Sequence, residues 1–79
     1  MTNLEKYNKA FCDSFEITDN QLTGLKYQQI ELWDSVGHMN LISGLEDAFD
    51  IMFDTEDLID LNSYKKGIEI LSKNYGIEF

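Results

Sequence analysis

The sequence has one cysteine, no proline, no long apolar run and no positive charge across its middle third. A single cysteine, Cys12, excludes an intramolecular disulfide. A lone cysteine and a lone histidine, His38, also fall short of the ligand set of a zinc site. The apolar runs are two or three residues long, as in Ile51-Met52-Phe53, whereas a membrane span needs about 20. The opening Met1-Thr2-Asn3-Leu4-Glu5-Lys6 has no apolar run after its charges. It does not read as a signal peptide, and a cytoplasmic setting is expected. From Glu31 to Asp60 there are nine acids and neither lysine nor arginine. The remainder holds six acids and six lysines, so the whole net charge of −9 sits in the middle. Nucleic acid and anionic membranes need basic surface and are poor partners for this chain. Basic proteins, met by electrostatic steering, fit it. An acidic surface kept for solubility is the plainer reading of the same charge.

What is present suffices for one small core. The 79 residues are 43 % apolar, and a single domain over 1–79 is expected. Leu4, Tyr7, Phe11 and Phe15 recur at steps of three and four, which predicts a helix over 3–15. Cys12 lies beside that stripe and reads as a small core or boundary residue rather than a nucleophile. Residues 16–33 lack a sustained helical period and contain the turn material Thr18-Asp19-Asn20 and Thr23-Gly24. Their apolar residues Ile17, Leu22, Leu25, Tyr27, Ile30, Leu32 and Trp33 suggest a long loop pinned across the core.

A second helix is expected over about 35–50. Met39, Ile42, Leu45 and Phe49 form its buried stripe, with Leu41 on the flank. Asn40, Ser43, Glu46, Asp47 and Asp50 face out. Gly37 and Gly44 weaken its intrinsic propensity, so packing must hold it. Thr55 is placed to cap a short third helix through Asp60, and Ser63 to cap a last one from Tyr64. Tyr64, Ile68, Leu71 and Tyr75 form the stripe of that helix, with Gly76 as its stop. No segment alternates as a strand does. The fold class is all-α: a small four-helix bundle, third helix short, with a long loop between helices one and two.

Two chemical readings fail on spacing. A calcium loop starting at Asp54 would place Leu58 and Ile59 where an oxygen ligand and a glycine belong. Ser35 and His38 stand one helical turn apart, but a hydrolase also needs an orienting carboxylate, an oxyanion hole and a pocket. His38 reads better as solvent- or partner-facing, and no enzyme activity is expected.

On local chemistry, Asp34-Ser35 before an apolar-periodic stretch is a helix start. The wider run says more. Asp34-Ser35-Val36, then Met39, Leu41-Ile42, Leu45-Glu46, Phe49 and Ile51, resembles the phosphopantetheine-attachment signature of acyl carrier proteins. Chain length, helix order, acidity and the mid-chain serine fit the same family. The resemblance implies that a phosphopantetheinyl transferase joins 4′-phosphopantetheine to Ser35, with Asp34 as the flanking residue it recognises. The arm's thiol then carries an acyl group as a thioester to acyl-loading and acyl-processing enzymes. It implies that Glu46, Asp47 and Asp50, with the apolar Val36, meet basic docking patches on those enzymes. A stand-alone, monomeric carrier is implied, in fatty-acid-like or specialised polyketide, glycan or lipid biosynthesis.

The departures from the common pattern are specific. Val36 replaces the usual leucine. Asn40 and Ser43 stand where fatty-acid carriers have an acid and an exposed apolar residue. Ser63-Tyr64 replaces a common Thr-Val pair. Trp33 and His38-Met39 around the serine look more like carriers from specialised pathways. An aminoacyl carrier, and an unmodified acidic helical adaptor module, are the alternative readings.

Overall fold

The computed structural model describes residues 1–79 and is all-helical, with four α-helices: α1 (Asn3–Phe15), α2 (Ser35–Phe49), α3 (Thr55–Asp60) and α4 (Tyr64–Asn74). Three of the four starts are capped by a side chain. Thr2 and Glu5 form a reciprocal capping box on α1: the Glu5 N–H donates to Thr2 Oγ1 at 3.1 Å and the Thr2 N–H to Glu5 Oε1 at 2.9 Å. The Thr2 backbone N–H first, then its hydroxyl, hold the Glu5 carboxyl below its ordinary value. Asp34 caps α2, and Ser63 caps α4 by accepting from the Lys66 N–H at 3.0 Å. The third start differs from expectation. Asp54, not Thr55, occupies the cap position of α3, and Thr55 is its first helical residue. At the far end of α4, Gly76 takes φ +68°, and the Ile77 N–H returns to the Leu71 carbonyl.

α1 packs on α2 around a core of 13 apolar residues with no buried polar or charged residue. α1 supplies Tyr7, Ala10, Phe11 and Phe15, while Leu4, expected in this stripe, is exposed. α2 supplies Leu41, Ile42 and Leu45; Phe49 is half-buried. Met39, also expected inside, is 51 % exposed. Its place at the inner face is taken by Gly37, whose Cα lies under the Leu32 carbonyl. That close approach turns α2 so that the stripe runs through 37, 41 and 45 rather than 39 and 42 alone. α4 supplies Ile70 and Leu71, with Gly67 pressed against the Tyr7 hydroxyl. Tyr64, Ile68 and Tyr75 of the expected stripe are half-buried. The Cα radius of gyration is 11.2 Å, against about 11.6 Å for a compact chain of this length.

Residues 16–34 run across this core and carry structure of their own. Asp19–Gln21 forms a 3-10 turn. Lys26 and Ser63 form an antiparallel bridge, with Tyr27 N–H to Asn62 C=O and Tyr64 N–H to Leu25 C=O, both 2.9 Å. Leu22, Leu25 and Trp33 are buried, and Leu32 is the one apolar member of the segment that points out. Trp33 is the centrepiece. Its ring stacks on Phe15 at 5.1 Å and meets Phe11 edge-on at 5.5 Å.

Cys12 sits at the edge of α1, half-buried, with its thiol donating to Asp19 Oδ1 at 3.4 Å. Burial first, then that bond and the negative field of Asp19 and Asp13, push the thiol up to about 11. A cysteine of ordinary pKa would be half ionised near pH 9; folded Cys12 stays protonated there. Alkylation by iodoacetamide at pH 9 is therefore expected to be much slower in the folded chain than in urea. Because the native state holds this proton more tightly, the Cys12 contribution to stability is complete below pH 9 and is lost as pH rises towards 11. Equal alkylation rates in the two states would contradict this placement.

Candidate functional site

The first turn of α2 divides its chemistry between two adjacent residues. Asp34 has extended backbone, and its Oδ1 accepts the Gly37 N–H at 2.8 Å. Asp34 is thus the cap, as its residue type suggests. Ser35 is the first helical residue, exposed, and its hydroxyl makes no capping bond. Its one polar neighbour is the Tyr27 hydroxyl, 3.4 Å away. The serine Oγ is therefore exposed and uncommitted to the helix cap.

Ser35 opens on a surface cleft of about 370 Å³ between the start of α2 and α3, lined also by Tyr27, His38, Met39, Leu58, Ile59, Leu61 and Asn62. Around it stand Val36, Met39 and Ile59, which are 70, 51 and 68 % exposed. Sequence reasoning missed the α3 wall and Tyr27. One signal was available. Ile59 is an exposed apolar residue in a short acidic helix.

His38 corrects an expectation. It is half-buried at the cleft and held within the fold by both ring nitrogens rather than simply facing solvent or a partner. The buried Trp33 Nε1–H donates to His38 Nδ1 at 3.0 Å, and His38 Nε2 lies 2.8 Å from the Leu58 carbonyl. The cause is the indole: once Trp33 is carried into the core, its N–H needs an acceptor. Both imidazole nitrogens are thereby engaged, and Ser35 and His38 form no dyad.

The acids of α2 fall into different situations. At about 100° per residue, Ser35, Val36, Met39, Glu46 and Asp47 lie within about 120° of one another on the open side of the helix. Asp47 is exposed at the edge of that face, beside a groove shared with Lys6 and Lys9 of α1. Asp50 ends the helix in the left-handed region at φ +54°, exposed. Glu46, expected to face out, is half-buried, and its Oε2 accepts the Phe53 N–H at 2.9 Å. It anchors the link from α2 to α3. Glu46→Ala is expected to cost about 1–2 kcal/mol in urea unfolding, whereas Asp47→Asn should leave the midpoint unchanged. Equal midpoints for the two variants would contradict the anchoring role.

The three ion pairs of the fold, Lys9–Asp13, Lys66–Glu69 and Lys73–Glu69, lie on α1 and α4. None involves the nine acids between Glu31 and Asp60, so the negative field around Ser35 is not neutralised from within. No family model, curated protein or solved structure matches this chain.

Proposed function

We propose that this chain is an acyl carrier protein, a four-helix bundle with a long first loop that bears 4′-phosphopantetheine on Ser35. The observation that carries the reading is the division between Asp34 and Ser35. Asp34 does the capping, so the serine hydroxyl is left exposed beside an apolar-lined cleft. Transfer from coenzyme A would form a bond from Ser35 Oγ to the arm's phosphorus as the pyrophosphate bond breaks, releasing adenosine 3′,5′-bisphosphate and the serine proton and leaving a phosphodiester. That anion sits well at the first turn of a helix, where backbone N–H groups and the dipole favour negative charge. The arm ends in a thiol, which holds the cargo as a thioester. The chain itself would catalyse nothing; it raises the cargo's local concentration at successive active sites.

Partner enzymes with basic patches suit the open side of α2. Val36 and Met39 offer apolar contact beside the serine, and Asp47 and Asp50 offer exposed charge. Encounters of this kind are fast, weak and salt-sensitive. The departures at Val36, Asn40 and Ser43 favour a carrier of a specialised pathway over a housekeeping fatty-acid carrier, with acyl or aminoacyl cargo.

Incubating the purified chain with coenzyme A and a broad-specificity phosphopantetheinyl transferase tests the reading. The intact mass should rise by one phosphopantetheine. A second reading, an unmodified acidic adaptor, is favoured by the uncompensated charge between Glu31 and Asp60. It predicts no mass gain, and partner capture that is indifferent to the arm.

A further inference from the structure

Beyond the attachment residue itself, one side chain governs the shape of the cleft. We propose that His38 is a positioning residue: oriented by buried Trp33, its imidazole holds the Leu58 carbonyl and so fixes the α3 wall against Ser35. The inference rests on the reading of Ser35 as the arm's attachment point.

The tautomer follows from the partners. Trp33 can only donate, so the Nδ1 it reaches at 3.0 Å must be an acceptor. The ring proton is then on Nε2, which donates to the Leu58 carbonyl at 2.8 Å. Trp33 cannot swing away to release this arrangement. It is 0 % exposed and clamped between Phe11 and Phe15. The Tyr27 ring closes the other side of the imidazole, edge-on at 5.7 Å.

The His38–Leu58 bond is the one hydrogen bond between α2 and α3. No residue of α3 is fully buried, although Leu58 is half-buried against the core and Leu61, just after the helix, is buried. The side-chain ties of α3 run to α4, through Asp57 to Asn74 and to the Tyr75 hydroxyl, both 2.8 Å. Leu58 lies in the last turn of α3, where carbonyls have no partner within the helix. His38 supplies that partner from α2, three residues after Ser35. Leu58 and Ile59 then form the wall that faces the serine across the cleft. Removing the His38 donor frees this wall while leaving Ser35, its cap and the core in place.

Two substitutions separate the ends of the ring. His38→Gln places an amide N–H near the position of Nε2 and gives up the acceptor for Trp33. His38→Asn places an acceptor near Nδ1 and cannot reach Leu58. Amide hydrogen exchange of α3 on the unmodified chain reads the wall directly, through the Leu61 N–H that bonds the Asp57 carbonyl. His38→Asn should speed that exchange about tenfold, while His38→Gln stays near the native rate. With transferase and coenzyme A, the Asn variant should change KM for the chain more than kcat, because the cleft is altered and the nucleophile is not. Equal exchange in both variants, or faster exchange in the Gln variant, would overturn the proposal and leave His38 serving only Trp33. Failure of the native chain to be loaded at all would remove the carrier reading, and the exchange data would still decide the role of His38.

Discussion

Gly37→Ala is expected to destabilise the fold by about 3 kcal/mol or more, although alanine is the better helix former by up to about 1 kcal/mol. A Cβ built on Gly37 would lie 1.7 Å from the Leu32 carbonyl oxygen and 3.3 Å from the Phe15 ring. The first of these is backbone, which no rotamer change relieves. Either the segment before Trp33 must lift away or α2 must turn, and both moves disturb the Trp33 contacts with Phe11 and Phe15. Gly44 is the internal control. A Cβ there meets Ala10 and Ser14 at 3.9 Å, an ordinary contact. Gly44→Ala should therefore raise stability by about 0.5–1 kcal/mol. Urea unfolding of the two variants measures both. A Gly37→Ala protein as stable as the native one would mean that Leu32 does not lie against α2 as described.

The second large effect is chemical. Ser35→Ala should abolish phosphopantetheine loading outright while changing stability by less than about 1 kcal/mol. The serine is exposed and gives up only a 3.4 Å contact with the Tyr27 hydroxyl. Asp34→Ala should do the reverse in stability, costing about 1 kcal/mol, because the Gly37 N–H loses its 2.8 Å acceptor. Intact mass after transferase treatment and urea midpoints together form a two-way comparison. A destabilised but loadable Ser35→Ala chain would invert the division of roles between the two residues. Its loading would also place the arm on another side chain.

Much of this architecture was legible in the residues because it depends on local rules. The four-residue spacing of Tyr7, Phe11 and Phe15 predicts α1 to within its ends, and Ser63 and Gly76 bracket α4 as caps do. What escaped depends on contacts between distant segments. Met39 fits the periodic stripe of α2, yet it points out because Gly37 accepts the Leu32 backbone. No helical pattern encodes that rotation. Glu46 looks like one more solvated acid until the chain turns at Asp50 and brings the Phe53 N–H to it. His38 has the same history: its partners are a buried indole five residues back and a carbonyl 20 residues on. The cap at Asp34 and the helix start at Ser35 were readable from residue type and order. The cleft was not, since its far wall comes from α3.

The central claim is that Ser35 carries the arm in the living cell. Trypsin should release it on the peptide 27–65, between Lys26 and Lys65, which contains Ser35, Ser43 and Ser63. Tandem mass spectrometry of that peptide, taken from the chain purified out of its native cells, is the most direct measurement. The account predicts a phosphopantetheine adduct localised to Ser35, with or without an acyl group on its thiol. An unmodified peptide throughout the population, or an adduct on Ser43 or Ser63, would contradict it.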